Sequence, residues 1–343
     1  MSRRRTLLLA LPAALVCAAL WPAASQAFVG CEHSAGTLRV FMNQDGDGVT
    51  VTRGGDAINV ISGGRFDDFP EILLVCSGGD PTVHNTDRIV IDEAAVAGFT
   101  IVAFDLSGGQ FAPGATPEPD GTSEIELQAN MFGFLSFTGV GGTSGDDVIH
   151  MGRTASGATG VNFNAGAEAA PDVDLEVTQP ELLTVGTGAG NDVFLGRGAP
   201  GFAGPLGRGV AMFAAGGRGR DRIVAGASTF IAGGRGNDTL LGSRFADFAA
   251  GEGGRDLIKT GRGDDTALTA RDGRDRVNCG AGEDTAIADA TDREAKCERD
   301  KLKRNIGGGE VIIFSAARML STAAGRPVPD EMLREALNTL RGK

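Results

Sequence analysis

The sequence predicts an all-β protein, a parallel β-solenoid ended by a short C-terminal helical cap. Three observations carry that reading. Aspartates recur about every nine residues from Asp238 to Asp284, each behind a glycine-containing turn. Upstream, short β-prone runs are separated by Gly, Asp, Asn and Pro, the pattern of many short strands joined by tight turns. Past Arg304 the apolar spacing becomes helical.

Composition narrows the class. The chain has 343 residues, 54 of them Gly, and 41 % are hydrophobic. No Gly-X-Y period is present, which excludes collagen, and there is enough apolar surface for a core. Acidic residues outnumber basic ones 44 to 32, for a formal charge of −12. Nucleic acid is therefore not an expected partner, because binding phosphates calls for a basic surface that releases counterions.

Residues 1–27 read as a secretory signal peptide. Arg3, Arg4 and Arg5 precede an apolar run from Leu7 to Leu20, and Ser25-Gln26-Ala27 closes the segment with a cleavage-type pattern. Pro12 interrupts the run, which falls short of the ~20 apolar residues a membrane span requires. No later stretch is apolar enough to span a membrane, so an extracellular location is expected. Removing residues 1–27 leaves Cys31, Cys76, Cys279 and Cys297. An even count in an exported chain reads as disulfides. Three pairings are open; proximity favours Cys31–Cys76 with Cys279–Cys297, and free buried thiols are the alternative.

Residues 28–185 form an irregular β-rich region. Its runs are Val49–Val51, Ile58–Ile61, Ile72–Val75, Ile89–Ile91, Ile101–Leu106, Ile125–Leu127, Phe134–Phe137 and Val173–Val177. An irregular continuation of the solenoid is favoured over a separate β-sandwich. Ala112–Gly121 and Ala199–Gly209 are Gly/Pro-rich and expected to project as loops. Asn43-Gln44-Asp45-Gly46-Asp47-Gly48 opens like an EF-hand loop, but Gly54 stands where a bidentate Glu belongs. The flanks alternate like strands, so a hairpin turn is the expectation.

Residues 186–304 hold the repeats. Gly216-Gly217-Arg218-Gly219-Arg220-Asp221-Arg222-Ile223-Val224 is followed seventeen residues on by Gly233-Gly234-Arg235-Gly236-Asn237-Asp238-Thr239-Leu240-Leu241. Asp247, Asp256, Asp265, Asp275 and Asp284 continue the series, with Gly251 and Gly263 at glycine positions of their units. Two residues after each Asp comes Ile223, Leu240, Ala249, Ile258, Ala267, Val277 or Ala286, expected to turn inward. Degenerate copies precede them at Gly142–Ile149 and Thr187–Phe194.

The pattern G-G-x-G-x-D-x-U-x resembles the hemolysin-type calcium-binding (RTX) repeat family over residues 216–287. Cys279 to Glu298 also resembles the ending of secreted repeat proteins from high-GC Gram-positive bacteria. The resemblance implies a right-handed β-roll in which each nonapeptide is half a coil and calcium ions lie between repeats eighteen residues apart. One edge then carries Asp221, Asp238, Asp256 and Asp275, and the other Asp247, Asp265 and Asp284. Ca2+ is the implied cofactor, with Gly216, Gly217, Gly219, Gly233, Gly234, Gly236, Gly251 and Gly263 completing the turns. The chemistry agrees: glycine permits turns that aim carbonyls at a shared point, and calcium takes six to eight oxygen ligands. Stacked carboxylates repel, so calcium is expected to stabilise the array.

Several units depart from the pattern. Phe245 replaces the fourth-position Gly, Glu252 a second-position Gly, and Ala270-Arg271 both leading glycines of another unit. Phe230 falls where the unit between 224 and 233 needs its Asp, and that unit is one residue short. Fewer than the five spaces between these aspartates are therefore expected to be filled.

Residues 305–343 carry helical spacing at Val311–Leu320 and Asp330–Leu340, the expected cap for an open solenoid end. Catalytic signatures are lacking. His33, His84 and His150 are scattered, so H-E-x-x-H cannot occur, and there is no G-x-S-x-G. Gly196–Gly201 matches G-x-G-x-x-G by chance, with no helix pattern after it. Asp67-Asp68 and Asp146-Asp147 read as solvated turn residues. The expected function is a secreted calcium-binding solenoid with a structural or surface-associated role and no enzymatic activity. The alternative is a carbohydrate-active β-helix lyase or epimerase with a calcium-binding C-terminal module.

Overall fold

A computed structural model describes residues 29–297 apart from 44–46, 64–70, 95–98, 117–123, 133–134, 164–172, 181, 207–208, 270–272 and 289–290. The expected signal peptide and the helical cap lie outside the described residues. The rest is β-structure, with a single 3-10 turn at Leu106–Gly108 among the described residues. The chain divides into two compact units: 29–187 with 194–206, and 188–193 with 207–297.

The first unit has two sheets, each mixing parallel and antiparallel pairs. In one, Thr37–Met42, Arg88–Glu93, Glu126–Asn130 and Leu175–Thr178 run parallel in register. In the other, Gly48–Gly54, Phe99–Asp105, Leu135–Gly141 and Leu182–Gly186 do the same. Alternation along these strands explains the arrangement: Leu38, Val40 and Met42 are fully buried while Arg39 between them is exposed. Hairpins add antiparallel strands, Val29–Ser34 against Thr37–Met42 and Ala57–Gly63 against Gly48–Gly54.

Two loop expectations change. The strands either side of the expected hairpin turn, Thr37–Met42 and Gly48–Gly54, lie in different sheets and do not pair as a hairpin. Flanking alternation is the same for a hairpin and for a turn between sheets, so local sequence could not separate them. The part of Ala199–Gly209 that is described does not project. Ala203 N–H donates to the Arg153 carbonyl, Arg153 N–H donates to that of Gly204, and Leu206 is buried. A Cβ on Gly152 would lie 2.7 Å from the Phe202 ring, so that glycine is what lets the ring settle there.

The second unit is built from strands of three to eight residues. Arg222–Val224, Thr239–Leu241, Leu257–Arg262, Arg276–Ala281 and Arg293–Ala295 form one parallel sheet. Ala211–Arg218, Ser228–Arg235, Phe248–Gly253, Thr266–Leu268 and Thr285–Ile287 form the other. Successive strands alternate between the two sheets, so each winding of chain lies in register on the one before. Ile223, Leu240, Ile258 and Val277 from one sheet and Ala249 and Ala267 from the other are buried, as their position in the repeat demands; Ala286, in the last winding, is half-buried.

Both disulfides favoured by proximity are present. Cys31–Cys76 joins a strand to the segment beside it, and Cys279–Cys297 closes 18 residues, one winding. Phe213, Phe230 and Phe248 stack face to face with ring centroids 4.9 and 4.5 Å apart. This register corrects the placement of the defective unit. Phe230 pairs with Phe248, so Thr229 occupies the place of the missing aspartate, opposite Asp247. The unit is short on the N-terminal side of Thr229, so counting forward nine residues from Asp221 misassigns it by one residue, while counting back nine from Asp238 reaches Thr229.

Candidate metal centre

The glycines do two jobs that follow from their lack of a side chain. Gly217 and Gly234 turn the chain at φ 95° and 105°. Gly219, Gly236, Gly254 and Gly273 stack so closely that a Cβ on any of the last three would overlap the carbonyl oxygen of the glycine before it. Gly263 has the same role on the other edge, against Phe245, and Gly282 stacks on Gly263 in turn. Glu252, in register with Gly234, adopts a left-handed φ of 66° despite its side chain.

Every aspartate named in the repeats is buried, at 1–2 % exposure for Asp221, Asp238, Asp247, Asp256, Asp265, Asp275 and Asp284. On the first edge each Oδ1 accepts the N–H of the aspartate one winding earlier. Asp221 N–H donates to Asp238 Oδ1 at 2.8 Å, Asp238 to Asp256 at 2.8 Å, and Asp256 to Asp275 at 2.7 Å. On the second edge Asp247 N–H donates to Asp265 Oδ1 at 2.8 Å and Asp265 to Asp284 at 3.0 Å. Thr229 N–H donates to Asp247 Oδ1 at 2.7 Å, which ends that series of acids.

The structure adds two aspartates that sequence reasoning left out. Asp192 N–H donates to Asp221 Oδ1 at 2.9 Å, and Asp275 N–H donates to Asp292 Oδ1 at 2.9 Å. Asp192 lies in the degenerate copy at 187–194 and Asp292 eight residues past Asp284. A search tolerating one residue of spacing error would have found Asp292, but Asp192 lies 29 residues before Asp221 and is signalled only by its own degenerate motif copy.

The second carboxylate oxygens make the site chemically unusual. Oδ2 of Asp238, Asp256 and Asp265 is buried and has no hydrogen-bond partner. A buried carboxylate oxygen without a donor is strongly unfavourable. It also sits beside other oxygens: a Cβ on Gly233 would lie 2.6 Å from Asp238 Oδ2 and 2.9 Å from the Gly251 carbonyl oxygen. On Gly242 it would lie 2.8 Å from Asp247 Oδ2 and against the Thr260 carbonyl. The position-one glycines thus face small cradles shared by a carboxylate of one winding and a carbonyl of the next.

Burial is the main cause of the raised carboxyl pKa values, and like charge is secondary. Asp238 is pushed up to about 6, Asp256 and Asp265 to about 7, and Asp247 to about 8. Hydrogen bonds from the neighbouring windings act in the opposite direction, and nearby carboxylates add to the rise. The half-buried Glu252 is among those neighbours for Asp238 and Asp256, and its own pKa is raised by burial.

Among the described residues no three His, Cys, Asp or Glu side chains converge as a metal cluster. Any cation here must draw largely on backbone carbonyls, which suits a hard oxygen-seeking ion and not zinc. His33 is buried and bonded to Asn85 and Thr86, while His84 lies exposed beside Asp56. Asp147 departs from expectation. It is buried, accepting from Thr143 N–H and hydroxyl at 2.9 Å each, the same turn that Ser243 makes with Asp247. Asp146 beside it is exposed.

Fold and site together define a β-structured repeat protein whose stacked Gly-Asp turns bury their carboxylates. Residues 232–267 match the RTX calcium-binding nonapeptide repeat in four copies, so this segment carries the repeat of that family. No curated protein and no solved structure matches the chain. No helix among the described residues is long and apolar enough to cross a membrane.

Proposed function

We propose that the chain is an exported calcium-binding β-solenoid in which calcium between successive windings completes the fold, serving a structural or surface-associated role. The observation that carries this reading is the set of buried Oδ2 atoms on Asp238, Asp256 and Asp265, which meet no donor. Calcium would be held on the first edge between Asp221, Asp238, Asp256 and Asp275, and on the second between Asp247, Asp265 and Asp284. Carbonyls of turns containing Gly216, Gly217, Gly219, Gly233, Gly234, Gly236, Gly251 and Gly263 would complete the oxygen set. Asp192 and Asp292 extend the first edge by one position at each end. The ion supplies positive charge where burial otherwise disfavours the carboxylate form, so binding and folding are coupled. The two disulfides fit an oxidising, extracellular location.

Titrating chelator-stripped protein with calcium, by calorimetry and far-UV circular dichroism, tests the proposal. Binding heat with a rise in β signal and melting temperature, weakened in Asp238→Ala and Asp256→Ala, is the expected result. Stoichiometric silence with an unchanged spectrum would overturn it.

A further inference from the structure

The first edge of the repeat unit differs from the rest of this acidic chain. Asp221, Asp238, Asp256 and Asp275 are buried and Asp292 is half-buried, and arginines beside four of these five point outward. Arg220 and Arg222 flank Asp221, Arg255 precedes Asp256, Arg274 and Arg276 flank Asp275, and Arg293 follows Asp292; all six are exposed. None of the six is held in an ion pair among the described residues. Their backbones are pinned by the stack: Arg222, Thr239, Leu257, Arg276 and Arg293 lie in one parallel register. Arg220 N–H donates to Asn191 Oδ1 and Arg255 N–H to Asn237 Oδ1.

Stacked strands are about 4.8 Å apart, so the four steps from Arg222 to Arg293 spread the arginines of the Asp221, Asp256, Asp275 and Asp292 windings along roughly 19 Å, interrupted at the Asp238 winding by Asn237 and Thr239. The result is a straight cationic row on a chain of net charge −12. A row of exposed like charges costs repulsion and gives the fold no pairing in return, so an anionic partner is what would offset it. Guanidinium binds carboxylate through two parallel hydrogen bonds, and arginines on four of the five windings suit a ligand that carries carboxylates at several points along its length.

We infer that this arginine row is a docking edge for a linear carboxylated polysaccharide, laid along the stack with its acid groups against the windings that carry arginine. Nucleic acid fits less well. Single strands are held by bases stacked on aromatic side chains as well as by charge, and the six arginines are neighboured by Asn237, Thr239, Leu257 and Thr291 with no aromatic residue flanking these aspartates. The inference depends on the stacking of the windings and does not depend on which cation fills them.

The test is binding of a labelled oligogalacturonate to the full chain with calcium present, against neutral dextran and single-stranded DNA. Far-UV circular dichroism on the same samples separates loss of fold from loss of binding. Saturable binding to oligogalacturonate is expected, falling steeply with salt as screening shortens to ~3 Å near 1 M. The combined Arg255→Ala, Arg274→Ala and Arg276→Ala variant should bind at least tenfold more weakly with an unchanged spectrum. Arg244→Ala with Arg262→Ala, on the opposite edge, should bind as the parent does. Absence of oligogalacturonate binding, equal or tighter binding of DNA, or full binding by the triple variant each overturns the inference.

Discussion

Asp256→Asn should stabilise the calcium-free protein and destabilise the calcium-loaded one. Asp256 Oδ1 accepts the Asp238 N–H, a bond the asparagine carbonyl can keep. Oδ2 is buried without a partner, and burial, with lesser repulsion from Asp238, Asp275 and Glu252, pushes the carboxyl up from 3.8 to about 7. Such a displacement disfavours the ionised form by about 4 kcal/mol. The sign follows from proton linkage: the folded chain holds this proton more tightly than the unfolded chain. Stability is therefore fully present below about pH 4 and is lost as pH rises toward 7. At pH 8 with chelator the variant escapes that penalty, less the ~1–3 kcal/mol of an amide donor left without an acceptor. A net gain of about 1–3 kcal/mol remains, and it should vanish near pH 4. With calcium the parent gains ~2.7 kcal/mol per site at a hundredfold excess over Kd. Asp256 borders two sites, so the variant should then be the less stable protein by several kcal/mol. Denaturant unfolding of both proteins at pH 8, with chelator and with calcium, reads the effect. Equal destabilisation of the variant in both conditions would refute the reasoning, because the carboxylate would then be acting only as a hydrogen-bond acceptor.

The remaining expectations concern the same stack. Calcium binding should release protons near pH 7 and weaken as pH falls from 8 to 5, since Asp238, Asp256, Asp265 and Asp247 take up protons at about 6, 7, 7 and 8. Calorimetry in buffers of different ionisation heat measures both effects. Gly236→Ala should lower stability by more than ~3 kcal/mol, because its Cβ would overlap the Gly219 carbonyl. Gly186→Ala, with nothing near its Cβ position, serves as the thermal-melting comparison and should stay close to the parent. Phe230→Ala removes the middle ring of the stack with Phe213 and Phe248 and should cost about 3 kcal/mol by denaturant unfolding. Reducing Cys279–Cys297, which closes 18 residues, should cost about 3 kcal/mol in the chain-entropy description. Calcium titration of the Cys279→Ser, Cys297→Ser variant would show whether the last winding still binds.

Much of the candidate site is legible from local spacing. Asp238 and Asp256 could be placed on one edge, and Asp247 and Asp265 on the other, because two short strands and two turns consume about eighteen residues. The inward Ile223, Leu240 and Ile258 follow from the same count. What spacing could not supply is the partner of each atom. That Asp256 Oδ1 is engaged while its Oδ2 is not depends on the neighbouring winding's backbone. Repulsion between aspartates was the sequence-level reason to expect a cation, yet burial is the larger cause of their raised pKa values.

By itself, then, the sequence determines the all-β class, the nine-residue rhythm and the residue types at each turn, since these are properties of neighbours along the chain. Only the tertiary structure decides register between windings. It puts Thr229, not Phe230, opposite Asp247, brings Asp192 and Asp292 into line, and sets Thr37–Met42 and Gly48–Gly54 in different sheets. Register is set by hydrogen bonds between segments about eighteen residues apart, and a one-residue slip that leaves local composition unchanged moves every side chain to the other face.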